Sequence, residues 1–293
     1  LDQWIRLMNP DCIFFASGDT VFSYKIVWKI SQKYNLPIIS YVCDEYYYGY
    51  HPSNILGYIY GNILKKWMKK IFQASRQFAV ICNPLGELYQ NEFKKEYYVL
   101  NTGNEIRFNR VKDTKQSNCL SYLGNIGLNR WKSLIQIGQV LDEYNQLYFQ
   151  EYKLNIYSGE TNSQILTSFG KVKSIQFMGK ISPQECLEKM QSSIAVIHTE
   201  SFDIYDIKRV KYSMSTKIAD SLASGTCLFA YGSLELASIQ YLYENQCAIV
   251  ATSLVDLKSK LYDLLENEEL RAKCIKKALI LAKAKHDSQK NSI

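Results

Sequence analysis

Two cations stand close together in GNIGLNRWK, residues 124–132, where one residue separates Arg130 from Lys132 and Gly124, Asn125 and Gly127 precede them. Glycines permit tight turns and paired cations can clamp a diphosphate, so the pattern suits an anion held where a helix opens. The competing reading is a glycine turn followed by solvated basic residues. The first helical turn disfavours cations through the helix dipole, which tips the balance toward an anionic partner. The spacing is not the G-x-G-x-x-G of a dinucleotide site.

YSMSTKIADSLASG, residues 212–225, is the most informative segment. Ser213, Ser215 and Thr216 are expected to cap a helix whose free N–H groups would bind phosphate, with Lys217 adding charge in the first turn. Asp220 then lies one turn further along the same face as Thr216. An ordinary N-cap with a solvated carboxylate is the alternative. Just upstream, HTESFDIYDIKRVK, residues 198–211, reads as a polar loop with Glu200 and Asp203 available for binding. Its D-I-Y-D is not a D-x-D metal-nucleotide spacing, and no cation is assigned there. His198 reads as a strand-end histidine. In the first half, Gly18-Asp19 and Asp44-Glu45 each follow a strand and are expected to face these segments from the acceptor side. Tyr46, Tyr47 and Tyr48 could stack on sugar faces or simply pack.

These positions follow apolar runs. CIFFAS, PIISYVC, QFAVICN and YYVLNT read as strands of a first domain, with helical spacing after Gly18-Asp19 and over residues 54–75. After a polar, aperiodic connection over residues 103–118, CLSYLGN, KLNIYSG, SIQFMG, IAVIHT, CLFAYG and CAIVAT read as strands alternating with helices. Ser182-Pro183-Gln184-Glu185 and Ser253 to Asp256 are helix-opening signals. Strands buried on both faces and alternating with helices imply α/β architecture with two Rossmann-like, doubly wound parallel sheets facing a cleft. The expected domains are residues 1–110 on the acceptor side and 111–293 on the donor side. Ligands in such sheets sit beyond the carboxyl ends of the strands, where the segments above fall.

With 293 residues, 35 Lys+Arg against 28 Asp+Glu and 47% hydrophobic residues, disordered and fibrous classes are excluded. The net charge of +7 is too small to indicate nucleic acid and suits phosphate ligands or an anionic membrane surface. The eight cysteines lack any C-x-x-C pair and read as buried thiols in a reducing compartment, and the three histidines lie far apart, so no zinc cluster is expected. No run approaches the roughly 20 apolar residues of a membrane span, and a cytoplasmic location is expected. Lys65, Lys66, Lys69 and Lys70 stand among apolar residues of the 58–78 stretch. This suits either a helix at the inner membrane face or a solvated lysine face.

In order and spacing, YLGNIGLNRWKSL, NIYSG, FMGKISPQECLEKMQSSIAVIHTESF and STKIADSLASGTCLFAYG resemble the carboxyl-terminal domain of family 4 glycosyltransferases of the capsule and exopolysaccharide type. The resemblance implies the GT-B architecture, a nucleotide-diphosphate-sugar donor such as a UDP-sugar, retention at the anomeric carbon, a saccharide or lipid-linked acceptor, and no metal or other cofactor. Residue by residue it places the family's diphosphate-contacting basic pair on Arg130 and Lys132 and its ribose-holding carboxylate on Asp220. The E-x7-E pattern is broken, since Tyr212 stands eight residues before Asp220 and Asp220 is itself shorter than glutamate. Glu200 or Asp203 is the expected substitute. The first domain is expected to be incomplete, which with Tyr212 leaves a second reading, a catalytically silent relative acting as a partner subunit.

Overall fold

The computed structural model describes residues 1–49, 54–104 and 117–289. His51, most of the predicted connection and the expected boundary at residues 110 and 111 lie outside the described residues. Two compact units emerge, one of Leu1–Asn101 with Tyr212–Met214, the other of Thr102–Lys211 with Ser215–Ile293.

In the first unit α1 (Asp2–Met8), β1 (Ile13–Ala16), α2 (Val21–Tyr34), β2 (Ile38–Val42), α3 (Ile55–Ala74), β3 (Ser75–Val80), α4 (Asn83–Phe93) and β4 (Tyr97–Val99) follow in order. The four strands are parallel and lie side by side in chain order. Helix α2 buries Val21, Tyr24, Val27 and Ser31, the three- and four-residue spacing of one helical face, and Asn35 ends it in the left-handed conformation. Tyr24, Tyr47, Phe72, Phe78, Tyr89 and Phe93 form a network of edge-to-face and tilted rings. Packing therefore accounts for Tyr47, which is buried. The Tyr48 hydroxyl donates to Glu92 at 2.6 Å, and Lys65 lies over both rings.

The second unit contains β5 (Cys119–Leu123), α5 (Arg130–Tyr148), β6 (Lys153–Tyr157), α6 (Ser163–Phe169), β7 (Ile175–Gly179), α7 (Pro183–Gln191) and β8 (Ala195–Thr199). It continues with α8 (Ile204–Val210), α9 (Lys217–Ala223), β9 (Cys227–Tyr231), α10 (Ala237–Glu244), β10 (Ile249–Ala251), α11 (Leu254–Glu266) and α12 (Glu268–Lys285). Its six parallel strands run β10-β9-β8-β5-β6-β7, the doubly wound order that reverses between β5 and β8. The predicted caps form: Ser182 and Glu185 make a full capping box at α7, and the Ser253 hydroxyl accepts the Asp256 N–H at α11. The main core lies on one sheet face, where Leu134, Ile137 and Leu141 of α5 and Leu257, Leu261 and Leu264 of α11 are buried with alternate strand residues such as Leu120, Ile156 and Phe229.

The ends of this unit meet. Asn104 forms a parallel bridge with Asp287, its N–H donates to the His286 carbonyl at 2.8 Å, and His286 Nδ1 donates to the Thr102 carbonyl at 2.7 Å. The Tyr241 hydroxyl is then the donor to His286 Nε2 at 2.8 Å.

Three expectations change. The 198–211 segment is not a plain loop but contains α8, because the Asp203 carboxylate caps it by accepting from the Tyr205 and Asp206 N–H groups. Thr216 is the N-cap of α9 but makes no side-chain cap bond, because its dihedrals are already helical (φ −58°, ψ −27°) where a side-chain cap needs an extended backbone. The cysteines are not uniformly buried: Cys12 is exposed, Cys43, Cys119 and Cys186 are half-buried, and only Cys82, Cys227, Cys247 and Cys274 are enclosed.

Candidate active site

In the second unit a cavity of about 410 Å³ opens beyond the carboxyl ends of β5, β6 and β7. Of the residues singled out in the sequence, Gly124, Asn125, Lys217 and Asp220 line it. Gly124 leaves β5 with φ of 151°, where side chains strain, and a β-carbon there would stand 2.8 Å from both Cε and Nζ of Lys217. The absence of a side chain at 124 thus makes the space across which the lysine reaches. Gly127 serves differently. Its N–H donates to Asn125 Oδ1 at 2.6 Å, and a β-carbon would press on that same oxygen. The left-handed positions of the turn fall instead on Leu128 and Asn129, at φ of 52° and 54°, so the loop into α5 holds backbone strain of about 1–3 kcal/mol per residue.

Arg130 opens α5, and its Nε donates to Glu200 Oε2 at 2.8 Å. Glu200 follows β8 and is only 5% exposed. Its burial raises the carboxyl pKa, and the Arg130 charge and hydrogen bond oppose that rise. Around the same pair stand His198 of β8, whose Nε2 lies 4.0 Å from Glu200 Oε1, and Ser133, whose hydroxyl donates to the Glu200 carbonyl at 2.8 Å. Desolvation, then the charges of Arg130 and Lys217, hold His198 down to about 3, so the imidazole is neutral. Lys217 also titrates below its ordinary value, through desolvation first and Arg130 second. Its residue is accessible from the cavity while the ammonium sits in a poorly solvated, positively charged neighbourhood. Asp220 is raised by desolvation, against the pull of Lys217. Arg130, Lys217, Glu200, His198 and Asp220 are thus electrostatically one cluster.

Other candidates lie apart. Lys132 is exposed, with its ammonium 5.6 Å from the Trp131 ring centroid; like Arg130, Glu200 and His198 it is not among the cavity-lining residues, but unlike them it has no charge coupling to Lys217. Asp203 is occupied as the α8 cap, and Ser215 and Thr216 precede α9 without lining the cavity. In the first unit Asp44 Oδ1 accepts from the Ser213 hydroxyl at 2.8 Å, while both Glu45 oxygens accept the Tyr48 N–H. The Gly18 carbonyl accepts the Tyr24 hydroxyl, and the Asp19 carbonyl accepts the Tyr60 hydroxyl. Among the described residues no group of three or more His, Cys, Asp and Glu could hold a metal ion.

The sequence reading missed Ser158, Gly159 and Glu160 after β6, Lys180 after β7 and Cys186 on α7, all of which line the cavity. The rule that ligands sit beyond carboxyl strand ends, applied to NIYSGE and FMGK as it was to YLGN, would have found the first four.

Gly124→Ala is expected to cost about 1–3 kcal/mol of stability from the strained φ. The added methyl also displaces Lys217, so anion affinity should fall about tenfold. Denaturant unfolding and calorimetry check the two parts separately.

A family model described as Glycosyl transferase-like matches residues 139–292. No curated protein matches the chain significantly. Among solved structures, a mutant of S. aureus TarM in complex with fondaparinux, alpha-GlcNAc-glycerol and UDP is similar, with TM-score 0.69 and 13% identity over 99% of this chain. This chain spans 56% of that protein's length. Anabaena HepE in complex with UDP and glucose gives TM-score 0.67 at 11% identity, covering 99% of this chain and 78% of the other. An E. coli trehalose-6-phosphate protein bound with UDP-2-fluoro glucose gives 0.70 at 8%, covering 99% and 74%. At such identities the likeness is one of fold, the GT-B architecture with two Rossmann-like parallel-sheet domains.

Proposed function

Since this chain belongs to the glycosyl transferase-like family, we propose that it moves a sugar from a nucleotide-diphosphate-sugar, most simply a UDP-sugar, to a saccharide or lipid-linked acceptor. The observation that carries this reading is Lys217 lying across Gly124 at the cavity mouth, with Arg130 acting on its charge and Asp220 one turn along α9. Lys217 lines the cavity, and the charge of Arg130 reaches it from outside that lining, where a doubly wound sheet offers a ligand site.

In this reading Lys217 and Arg130 stabilise the departing diphosphate as the anomeric carbon becomes oxocarbenium-like, and Asp220 accepts hydrogen bonds from the donor ribose. Lys217 takes the role expected of Lys132. Glu200, buried and fixed by Arg130, stands in for the missing first glutamate of the E-x7-E pattern. Such a transfer asks for charge placed in advance rather than for a side-chain base, which suits a family 4, retaining, surface-polysaccharide enzyme. Family membership and the assembled cations favour it over a silent partner subunit.

UDP should bind the folded protein and raise its stability by about 2.7 kcal/mol at a hundredfold excess over Kd, read as a thermal shift. A nucleotide-sugar panel should then release UDP from one member. No shift with any uridine, guanosine or adenosine diphosphate would sink the reading.

Helix α3 supports membrane association. Leu64, Met68, Ile71 and Phe72 are buried, whereas Ile55, Leu56 and Ile59 are 76%, 74% and 52% exposed, with Lys66 and Lys69 exposed further along. Lys70 is occupied over the Trp28 and Trp67 rings. Among the described residues no helix is long and apolar enough to cross a membrane. The proposed contact is therefore peripheral, an apolar turn inserted under a basic one. Co-sedimentation with anionic vesicles should drop severalfold in Lys66→Glu/Lys69→Glu and vanish with neutral lipid. Equal binding of both variants and both lipids would refute it.

A further inference from the structure

We propose that a diphosphate arriving at Arg130 transfers the Glu200 carboxylate from Arg130 to His198, and that the His198–Glu200 pair takes one proton from solvent as this happens. The inference rests on the reading of this site as a nucleoside-diphosphate pocket.

Its starting point is an unmet hydrogen-bonding group. His198 Nε2 is buried and has no hydrogen-bond partner. Buried polar atoms are nearly always paired, and leaving one alone costs about 1–3 kcal/mol, so an orphan beside a ligand site asks what would satisfy it. The nearest candidate is Glu200 Oε1, at 4.0 Å, slightly too far for a bond. The carboxylate is held away by Arg130, which takes the other oxygen at 2.8 Å. His198 and Glu200 stand two residues apart at the end of β8, so their side chains leave the strand on the same side and need only a small rotation to meet.

A guanidinium committed to a diphosphate has fewer donors for Glu200, which is too buried to remain ionised without a partner. The same ligand neutralises the two charges, Arg130 and Lys217, that now oppose protonation of His198. The groups facing the pair are accounted for: Arg130 from α5, Lys217 from α9, Asp206 from α8 and Tyr122 from β5. Of these, Asp206 already accepts from the Asn129 amide at 2.9 Å, and Tyr122 donates to the Asn125 carbonyl at 2.6 Å. His198 is thus the group free to take Glu200. The proton enters from water and is shared between Nε2 and Oε1. No covalent bond to carbon or phosphorus is made or broken.

The experiment is calorimetric titration of UDP at pH 7 in two buffers of different ionisation enthalpy, on wild type, Glu200→Gln and His198→Gln. Free UDP titrates identically in all three, so differences belong to the protein. Wild type should take up about one proton more per UDP than Glu200→Gln. His198→Gln should lose more than half of that difference and bind UDP about tenfold more weakly. Equal counts in wild type and Glu200→Gln, or the whole difference surviving in His198→Gln, would overturn the proposal while leaving the pocket reading intact. Failure of wild type to bind UDP would overturn both. Should Glu200→Gln not fold, UDP-glucose, which carries no phosphate titrating near neutrality, gives the count on wild type alone, and a count of zero overturns the proposal.

Discussion

Lys217→Ala is expected to lower turnover by about 10²–10³-fold, the usual effect of deleting one preorganised group that meets developing charge, with the unfolding temperature unchanged or slightly raised. The sign of the second part follows from the lysine's surroundings. Desolvation and the neighbouring guanidinium disfavour its charge in the fold, and the unfolded chain carries that charge in water without either cost. A group whose folded pKa is lowered leaves the unfolded state with more bound protons between the two values. Wild-type stability should therefore rise with pH through the window just below 10.5, and the rise should be missing in Lys217→Ala. Denaturant unfolding across that range, beside turnover at neutral pH, tests both. Lys132→Ala is the companion measurement. Its exposed ammonium lies near the ring of the partly buried Trp131, a contact worth about 0.5–1 kcal/mol, and turnover should stay within a few-fold. If the large loss fell on Lys132 and not on Lys217, the proposed assignment of cations would be reversed.

Arg130→Ala should damage both activity and stability. It removes the partner of a carboxylate that is 5% exposed, and breaking a buried pair from one side costs about 3–5 kcal/mol. With the arginine gone, Glu200 is raised further by burial. The folded state then holds a proton that the unfolded state has released, so the variant loses stability as pH climbs from 4.5 through the raised folded value. The deficit should shrink in acid. Adding Glu200→Gln to Arg130→Ala should restore most of the stability at neutral pH without restoring turnover. A double variant as unstable as the single one would mean that Glu200 is not the source of the loss.

The second unit's six strands were each visible as a short apolar run ended by glycine, threonine or a polar turn, because the central strands are buried on both faces and even the edge strand β7 keeps Ile175 and Phe177 against the core. The caps of α7 and α11 were equally readable, since Ser182 and Ser253 act on N–H groups three residues away. What escaped depends on contacts distant in sequence. Nothing in GNIGLNRWK says that Arg130 turns toward Glu200, 70 residues on, while Lys132 turns to its own neighbour. Helix α8 was hidden because seven residues rich in charge look like a loop until Asp203 caps them. Tyr47 could not be separated from a sugar platform by composition, as only the surrounding rings show that it packs, whereas Tyr48 stays exposed on Glu92.

The bridge from Asn104 to Asp287, with its backbone bonds to His286, brings the first and last described stretches of the second unit to one spot. A module whose two ends coincide can be lifted out and grafted onto another scaffold by a single pair of junctions. Joining residues 104 and 287 by a short linker and reopening the chain at an exposed turn such as that after α6 should then yield a rearranged second unit with its cavity whole.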